Sequence, residues 1–262
     1  MIRSINELTA DEARRLRFIL CDIDDTITSG GRLTAGAYSA LWRLSEAGLR
    51  VIPVTGRPAG WCDMIIRQWP AAAVVGENGA FALRLSGGRV ERLTHPNADP
   101  DSLKKLEAVR ERVFREVPGV RTASDQFCRQ YDLALDFAEE EPFLGLEAAH
   151  RIRDICVEMG AEAKISSIHV NAWFGRYSKR EMAKLCLERF FGEDGLSRAI
   201  FFGDSPNDEP MFEACPLSCA VANIKPFLPE LSSPPTFVTD AERADGFVEA
   251  AEVILGLILP RS

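Results

Sequence analysis

The sequence predicts an α/β protein with a Rossmann-like parallel sheet and an inserted α+β domain. Two features favour the parallel sheet. Short apolar runs such as residues 18–23 and 50–54 alternate with helical segments, and several of these runs end in polar residues. A third feature predicts the insertion: between residues 84 and 174 the predicted strands alternate polar and apolar positions, as in a sheet covered by helices on one face only.

The composition is that of a globular protein. The 262 residues have room for one large domain or two modest ones, and 46% are apolar and 27% charged. A net charge of −8 argues against a nucleic-acid partner, because such a surface needs a basic footprint. Seven cysteines without paired spacing predict reduced, buried thiols. With no signal-peptide pattern and no run of membrane-spanning length, we expect a cytoplasmic protein without a membrane partner, as a monomer or a homodimer.

Strands and helices alternate through the first 75 residues. Thr9 and Thr34 are the predicted N-caps of the first two helices, and Gly48 is predicted to end the second. The predicted elements are a helix over 10–17, a strand over 18–23, a helix over 35–47, a strand over 50–54, a helix over 59–69 and a strand over 73–75.

The next hundred residues carry the predicted insertion. A hairpin is expected around the turn residues Ser86-Gly87-Gly88, and Asp99-Pro100 is expected to open a helix. The predicted elements are strands over 81–85 and 89–93, a helix from 99 to about 117, a strand over 132–137, a helix over 142–159 and a strand over 165–173. We therefore predict a core formed by residues 1–83 and 175–262 and an inserted domain over residues 84–174.

After the insertion, strands and helices alternate again as they do in the first 75 residues. The predicted elements are a helix over 178–191, a strand over 199–202, a helix that ends at 214, strands over 217–221 and 236–238, and a helix over 245–258.

The strand predicted at 18–23 ends in the acids Asp22, Asp24 and Asp25, followed by Thr26. Sheets of this class bind ligands at the carboxyl ends of their strands. Crowded carboxylates repel one another unless a cation or a shared proton compensates. The motif by itself leaves two interpretations open, a solvated acidic turn or a divalent metal site beside a nucleophile.

Three further positions carry polar residues of complementary type. Thr55-Gly56-Arg57 follows a buried strand, where a hydroxyl and adjacent amides either hold phosphate oxygens or form a simple capping turn. Lys179 stands at the start of a helix, which the helix dipole disfavours, so it either neutralises an anion or is an ordinary surface lysine. Asp204, Asn207 and Asp208 follow another buried strand and are either ligands suited to Mg²⁺ or a helix cap.

Together these four features resemble the motifs of the haloacid dehalogenase superfamily of phosphatases. The resemblance covers the whole chain, because an insertion after the third strand is one of that family's two cap positions. Residues 55–58 and 75–80 and the spacing Gly203-Asp204-x-x-Asn207-Asp208 are similar to the Cof-type branch. That branch includes sucrose-phosphate, trehalose-phosphate and mannosyl-3-phosphoglycerate phosphatases, with phosphomannomutases as close relatives.

The resemblance implies a catalytic set. Asp22 would attack phosphorus and become an aspartyl-phosphate. Asp24 would protonate the leaving oxygen and then deprotonate the water that hydrolyses the intermediate. Thr55 would hold a phosphoryl oxygen, and Lys179 would neutralise charge on the nucleophile and the phosphoryl group.

The resemblance also implies a Mg²⁺ ion as cofactor. Its ligands would be the Asp22 carboxylate, the Asp24 backbone carbonyl and Asp204, with Asp208 close by. Phosphoryl transfer depends on positioning and charge neutralisation, which is what a cation among these acids provides.

Further residues are implied in substrate binding. Beside Thr55 and Lys179, the candidates in the core are Gly56, Arg57, Asn78 and Asn207. In the inserted cap, Asn171 and His169 lie on one face of a predicted strand, where they either bond a sugar hydroxyl or are merely solvated. Gln126, Arg129 and Gln130 are the remaining cap candidates.

Two positions depart from the family pattern. Asp25 replaces the Gly that most often follows the second acid. Arg180 follows Lys179 where a small Gly is frequent, which would narrow the space near the phosphate. Neither departure removes a residue of the predicted chemistry.

The sequence thus predicts a Mg²⁺-dependent phosphomonoester hydrolase that acts on a small phosphorylated metabolite, in the first place a sugar phosphate. Two alternatives stay open. A phosphomutase would use the same aspartyl-phosphate but return the phosphate to a sugar, and a metabolite-binding relative would keep the fold without catalysis.

Overall fold

The computed structural model describes residues 2–259 and consists of eight α-helices and fifteen β-strands over that range. The helices are α1 Ala10–Arg15, α2 Ala35–Glu46, α3 Ala59–Gln68, α4 Ser102–Glu116, α5 Gly145–Glu158, α6 Lys179–Phe191, α7 Glu209–Ala214 and α8 Arg243–Ile258. The strands are β1 Arg3–Ser4, β2 Phe18–Cys21, β3 Thr28–Ser29, β4 Arg32–Leu33, β5 Arg50–Pro53, β6 Val74–Gly76, β7 Phe81–Ser86, β8 Arg89–Thr94, β9 Arg121–Thr122, β10 Asp132–Asp136, β11 Glu162–Ile165, β12 His169–Trp173, β13 Ala199–Gly203, β14 Leu217–Ala220 and β15 Phe237–Val238.

A six-stranded sheet in the order β1-β15-β14-β13-β2-β5 forms the core, and every neighbouring pair in it is parallel. Central strands β2 and β13 are buried at every position, as expected where helices cover both faces of a parallel sheet. Alternate residues of β2 point to opposite faces. Ile19 packs in the cluster that contains α2 and α8, and Leu20 packs in the cluster that contains α6. The predicted Rossmann-like α/β core is confirmed.

Register places the strand ends at one edge of this sheet. Cys21 of β2 lies opposite Phe202 of β13 and Pro53 of β5. The residues that follow these strands, among them Asp22 and Asp204, therefore meet at the carboxyl edge of the sheet.

Strand β6 lies beside β5 and is linked to it by a parallel bridge between Val54 and Val75. On its other side, β6 pairs with β7 of the hairpin β7–β8. The hairpin is where the turn residues Gly87-Gly88 predict it. Its strand β7 contains residue 84, so the predicted boundary of the insertion falls inside a strand that is hydrogen-bonded to β6. The division into residues 1–83, 175–262 and 84–174 otherwise stays a prediction.

A second sheet, antiparallel and in the order β11-β12-β10-β9, is covered on one face by α4 and α5. We call residues 102–173, from α4 to β12, the cap. Its apolar core joins side chains of both helices and of β10 and β12, including Val109, Leu135, Ile152 and Val170. This unit is the predicted α+β insertion.

One predicted cap strand is wrong. The predicted range 165–173 contains only the last residue of β11 and the whole of β12, which are antiparallel and separated by a turn at Ser166-Ser167-Ile168. The Ser166 hydroxyl accepts the N–H groups of Ile168 and His169, at 3.4 and 3.0 Å. A serine that bonds nearby backbone groups in this way favours a turn over a continuous strand.

The expected half-exposure is wrong for two cap strands, β10 and β12, whereas β11 alternates exposed and half-buried positions. All five residues of β10 and all five of β12 are buried. The polar positions lie on the face opposite α4 and α5, and that face rests on the core instead of water, as the hydrogen bond between Asn78 and Asp132 shows.

The starts of both predicted cap helices shift along the chain. Helix α4 begins at Ser102, after the predicted Asp99-Pro100, and α5 begins at Gly145, three residues after Pro142. Thr9 and Thr34 cap α1 and α2 as predicted. Short strands β1, β3, β4 and β9 were not predicted, since two-residue strands carry no periodic signal.

All seven cysteines lie in the described range and are free thiols, six of them buried. Within residues 2–259, no helix is both long and apolar enough to cross a membrane.

Candidate active site

Three acids and one lysine meet at the carboxyl edge of the core sheet. Asp22 follows β2, Asp204 follows β13, and Asp208 ends the short 3-10 helix Pro206–Asp208. Lys179 is the first residue of α6, whose N-cap Ser178 accepts the Glu181 N–H at 3.3 Å. The predicted motifs thus lie together at the carboxyl edge of the sheet, as expected for residues that follow parallel strands.

Asp22, Asp204 and Asp208 form a compact buried cluster. Each offers a carboxylate oxygen, and these three oxygens all lie within 4.8 Å of one another. Asp208 Oδ2 also accepts the Asp204 backbone N–H at 3.1 Å. Gly203 is required here, because a Cβ at this position would lie 2.5 Å from Asp208 Oδ2.

Lys179 lies against two of these acids. Its Nζ is 3.0 Å from Asp22 Oδ1 and 3.2 Å from Asp208 Oδ1. Although burial acts in the opposite direction, the carboxylates of Asp208 and Asp22 raise the pKa of Lys179 above its usual range. The ammonium group therefore stays charged beside the predicted nucleophile.

The cluster carries more negative charge than Lys179 balances. Burial raises the pKa of Asp22 to about 7, with Lys179 acting against this shift and Asp208 adding to it. Burial and the neighbouring charges of Asp208 and Asp22 also raise the pKa of Asp204 well above its usual range. An oxygen-only donor set with uncompensated negative charge fits a hard divalent cation such as Mg²⁺.

Two residues for which no role was predicted orient Asp204. Thr26 donates its hydroxyl to Asp204 Oδ1 at 3.2 Å, and Asn223 Nδ2 donates to Oδ2 at 3.2 Å. Asn223 lies shortly after the end of β14. Searching for polar residues after predicted strands, which identified the other site residues, would also have identified Asn223. Asp25 adopts a φ of 54°, which explains why Gly suits this position, and it forms an ion pair with Arg243 at 3.3 Å.

Asp24 turns its carboxylate away from the acid cluster toward Arg57. Arg57 Nη2 donates to Asp24 Oδ1 at 2.8 Å and Nε donates to Oδ2 at 2.9 Å, a bidentate pair. The same guanidinium binds two cap acids through Nη1, Asp125 at 3.3 Å and Glu139 at 3.0 Å. Arg57 therefore links the predicted acid–base residue to the cap.

The Thr55 hydroxyl, in the loop after β5, makes a hydrogen bond within its own loop. Gly56 and Arg57 line the cavity above the acids, and Thr55 is completely buried beneath them. The Thr55 hydroxyl accepts the Arg57 N–H at 3.0 Å. That Thr55 holds a phosphoryl oxygen stays a prediction.

A cavity above the cluster is closed by the cap. Its walls comprise Asp22, Asp24, Gly56, Arg57, Asn78, Arg129, Ser166, Ser167, Ile168, His169, Asn171, Lys179, Asp204, Ser205 and Asn207. Predicted cap candidates Asn171, His169 and Arg129 are among them. His169 Nε2 is 2.8 Å from Glu139 Oε2, and Asn207 Oδ1 accepts the Ser205 hydroxyl at 3.0 Å.

Three side chains that were expected near the substrate are absent from the wall of this cavity. Gln126 bonds the backbone of Asp132 and Ala134 and so closes the edge of β10. Gln130 does not line the cavity. Arg180 pairs with Glu213 on α7 at 3.0 Å and does not line the cavity above the acids.

Comparison with protein families gives one match that spans both parts of the core. The model of the haloacid dehalogenase-like hydrolases, Hydrolase_3, matches residues 19–108 and 183–250. The two segments contain Asp22, Asp24, Arg57, Asp204 and Asp208.

Several known proteins that are similar to the chain are phosphatases. The chain is 26% identical over 245 residues to the phosphoglycolate phosphatase of Methanothermobacter thermautotrophicus. This alignment covers 92% of this chain and 100% of that protein. The fold of this chain is similar to that of the C-terminal domain of trehalose-6-phosphate phosphatase from C. albicans, with a TM-score of 0.72 at 15% identity. The superposition covers 97% of this chain and 98% of that chain. A sugar phosphatase of HAD subclass IIB gives a TM-score of 0.64 at 15% identity, over 92% of this chain and 99% of that chain.

Proposed function

Since the chain belongs to the haloacid dehalogenase-like hydrolases and is a phosphoric monoester phosphatase, we propose that it acts through an aspartyl-phosphate with Mg²⁺ on a small sugar phosphate. The observation that carries this proposal is the buried cluster of Asp22, Asp204 and Asp208 with Lys179, under a cavity closed by polar cap residues.

The chemistry assigned to the chain's own residues follows from their positions. Asp22 attacks phosphorus, and its negative charge is partly balanced by Lys179 at 3.0 Å. The new Asp22–phosphorus bond forms as the bond to the leaving oxygen breaks, and Asp24 gives that oxygen its proton. Asp24 then removes a proton from water, which attacks the phosphoryl group and restores Asp22.

Asp22, Asp204 and Asp208 would hold Mg²⁺, and the Asp24 carbonyl is the further ligand that the family resemblance implies. When bound, the ion would neutralise charge on the phosphoryl group and on the carboxylates around it. Thr55, Gly56 and Asn207 are proposed to position the phosphoryl oxygens.

The charges in the cavity favour a neutral leaving group over an acidic one. Among residues 2–259, the cations that line the cavity are Lys179, Arg57 and Arg129. Each already lies within 3.3 Å of a carboxylate. A carboxylate on the leaving group, as in phosphoglycolate, would find no free cation, whereas sugar hydroxyls can bond to polar groups such as Asn171.

The proposal is tested by measuring phosphate release from a panel of sugar phosphates, phosphoglycolate and nucleotides, with and without Mg²⁺. We expect Mg²⁺-dependent release, with the highest kcat/KM for a sugar phosphate. Phosphoglycolate as the best substrate would contradict the leaving-group assignment. Release that requires a sugar bisphosphate activator would instead indicate a phosphomutase.

Asp22→Asn tests the nucleophile. We expect kcat to fall by at least about a thousandfold, because an amide cannot form the acyl phosphate. The matched control is Asp25→Asn, the same chemical change three residues along the chain at a position where Asn tolerates a positive φ. Unchanged hydrolysis in Asp22→Asn would refute the catalytic assignment and leave a metabolite-binding protein.

A further inference from the structure

Glu77 is a buried carboxylate outside the acid cluster, and it has no part in the chemistry proposed above. Glu77 begins the turn Glu77–Gly79 after β6 and is 0% exposed. A buried carboxylate is unfavourable unless hydrogen bonds compensate its lost hydration. The Glu77 carboxylate is compensated by backbone N–H groups that come from both the core and the cap.

On the core side, Glu77 caps a helix that lacks its own cap. Pro58 precedes α3 and has no side-chain acceptor, so the Ala59 N–H would be unpaired. Glu77 Oε1 accepts that N–H at 3.0 Å. The Glu77 N–H also donates to the Arg57 carbonyl at 3.1 Å, so the turn is attached to the loop that lines the cavity.

On the cap side, Glu77 binds the segment that leads into β10. The Gln130 N–H lies 3.0 Å from both carboxylate oxygens, the Tyr131 N–H is 2.6 Å from Oε2 and the Asp132 N–H is 3.3 Å from it. One carboxylate thus joins three consecutive amides of the cap to the first turn of a core helix.

This segment lies where the chain enters and leaves the cap. The Ser102 hydroxyl donates to the Tyr131 carbonyl at 2.6 Å and accepts the Phe174 N–H at 3.0 Å. Ser102 opens the first cap helix and Phe174 follows the last cap strand. Glu77 therefore contacts the cap beside the two points where the chain enters and leaves it, which we call the pivot of the cap.

The same segment sets the position of side chains in the cavity wall. Asp132 Oδ2 accepts the side-chain amides of Asn78 and Asn171, at 3.2 and 3.1 Å. Arg129 Nη1 donates to Asp132 Oδ1 at 2.9 Å. Moving residues 130–132 would therefore move Asn171 and Arg129 with them.

We propose that Glu77 is a positioning residue that fixes the cap at its pivot and so holds Asn171 and Arg129 over the reacting phosphate. The backbone supports this assignment. Glu77 has a φ of 45° and Asn78 a φ of 57°, a conformation that is uncommon for residues other than glycine and that the surrounding contacts must maintain.

The experiment compares wild type with Glu77→Gln and Glu77→Ala. Gln keeps the size of the side chain but replaces one acceptor oxygen with an N–H₂ group that meets other N–H donors. The control is Glu107→Gln on the exposed face of α4. Two quantities are measured: amide hydrogen exchange across residues 126–134, and kcat and KM for p-nitrophenyl phosphate and for the best sugar phosphate of the panel.

We expect both Glu77 variants to exchange the amides of residues 130–132 at least about tenfold faster, with no change in β2 and β13. We also expect kcat/KM for the sugar phosphate to fall about tenfold, mainly through KM, while p-nitrophenyl phosphate changes by less than about threefold. Glu107→Gln should match wild type. If Glu77→Ala does not fold, Glu77→Gln supplies both measurements.

Unchanged exchange at residues 130–132 in Glu77→Gln would overturn the proposal. An equal loss for both substrates would also overturn it, because a purely structural role weakens all activity alike. The kinetic measurement rests on the proposed function, but the exchange measurement does not. A protein that hydrolyses neither substrate would refute the proposed function and leave the role of Glu77 to be decided by exchange.

Discussion

At the residue scale, the acid cluster depends on how closely the backbone approaches its side chains. Gly203 leaves room for the Asp208 carboxylate, which in turn binds the Asp204 N–H and Lys179. Asn223 and Thr26 hold the two oxygens of Asp204. The geometry of the proposed Mg²⁺ site is thus determined by these side chains and by the glycine at position 203, which has no Cβ.

Gly203→Ala should disturb the cluster directly. A Cβ 2.5 Å from Asp208 Oδ2 forces the carboxylate aside. We expect a stability loss of about 1–3 kcal/mol, measured by urea unfolding, and at least about a tenfold loss of phosphatase activity. Gly256→Ala on α8 is the control, since nothing lies within 4 Å of its added Cβ. Full activity in Gly203→Ala would contradict the assigned role of Asp208.

Asp204→Asn tests metal binding without relying on activity. An ion that binds only the folded protein stabilises it, by about 2.7 kcal/mol at a hundred times its dissociation constant. We expect Mg²⁺ to raise the Tm of wild type and to have little effect on Asp204→Asn, as measured by calorimetry. The exposed Asp63→Asn on α3 should keep the wild-type response. A normal response in Asp204→Asn would exclude Asp204 as a ligand.

At the element scale, the start of α6 places Lys179. Ser178 caps the helix, and Gly79 packs so closely on it that a Cβ there would lie 2.2 Å from the Ser178 carbonyl oxygen. Gly79 has a φ of +107°, which only glycine adopts without strain. The turn after β6 and the cap of α6 together fix the position of the lysine.

Ser178→Ala should therefore affect both stability and catalysis. Losing the N-cap hydrogen bond costs about 1 kcal/mol, and the first turn that carries Lys179 loosens. We expect a lower kcat together with the stability loss. The matched control is Thr34→Ala, which removes the N-cap bond of α2 and should cause a similar loss of stability with unchanged kcat. Equal kcat in the two variants would show that the cap of α6 does not position Lys179.

At the scale of the whole molecule, buried ion pairs hold the cap on the core. Arg57, only 3% exposed, binds Asp24 of the core and both Asp125 and Glu139 of the cap. Glu139 also bonds His169. These contacts join the cap to the core beside the cavity, whose wall includes His169 and Asn171 of β12.

Glu139 makes this contact sensitive to acid. The hydrogen bond from His169 outweighs burial and, with Arg57, lowers the pKa of Glu139 to about 2. A carboxyl whose pKa is lowered on folding stabilises the folded state above its unfolded pKa, and this stabilisation is lost as the pH falls from about 4.5 to about 2. Because the side chain is partly exposed, we expect it to contribute about 1–2 kcal/mol.

The measurement is the free energy of unfolding by urea at several pH values between 6 and 2.5. Glu139→Gln should be less stable than wild type near neutral pH and should lose less stability on acidification. Glu140→Gln, an exposed neighbour, should follow the wild-type curve. A Glu139→Gln curve parallel to that of wild type would contradict the assigned ion pair.

Local sequence determined the elements, their order and the acids of the site. Apolar runs that end in Asp22 and Asp204 mark strand ends, and parallel strands bring their carboxyl ends to one edge whatever the loops between them do. Helix caps such as Thr9 and Thr34 were predictable for the same reason, since a cap bonds residues only three positions away. These features depend on neighbours along the chain.

Only the tertiary structure decided which polar side chains bind the cap to the core. Arg57 meets Asp125 and Glu139 across 68 and 82 residues, and Glu77 meets Gln130 across 53. Polar positions of β10 and β12 have the period of a solvated face, yet they are buried because the core covers them. A periodic pattern shows that a face is polar, but whether water or a distant carboxylate satisfies it depends on which segments folding brings together.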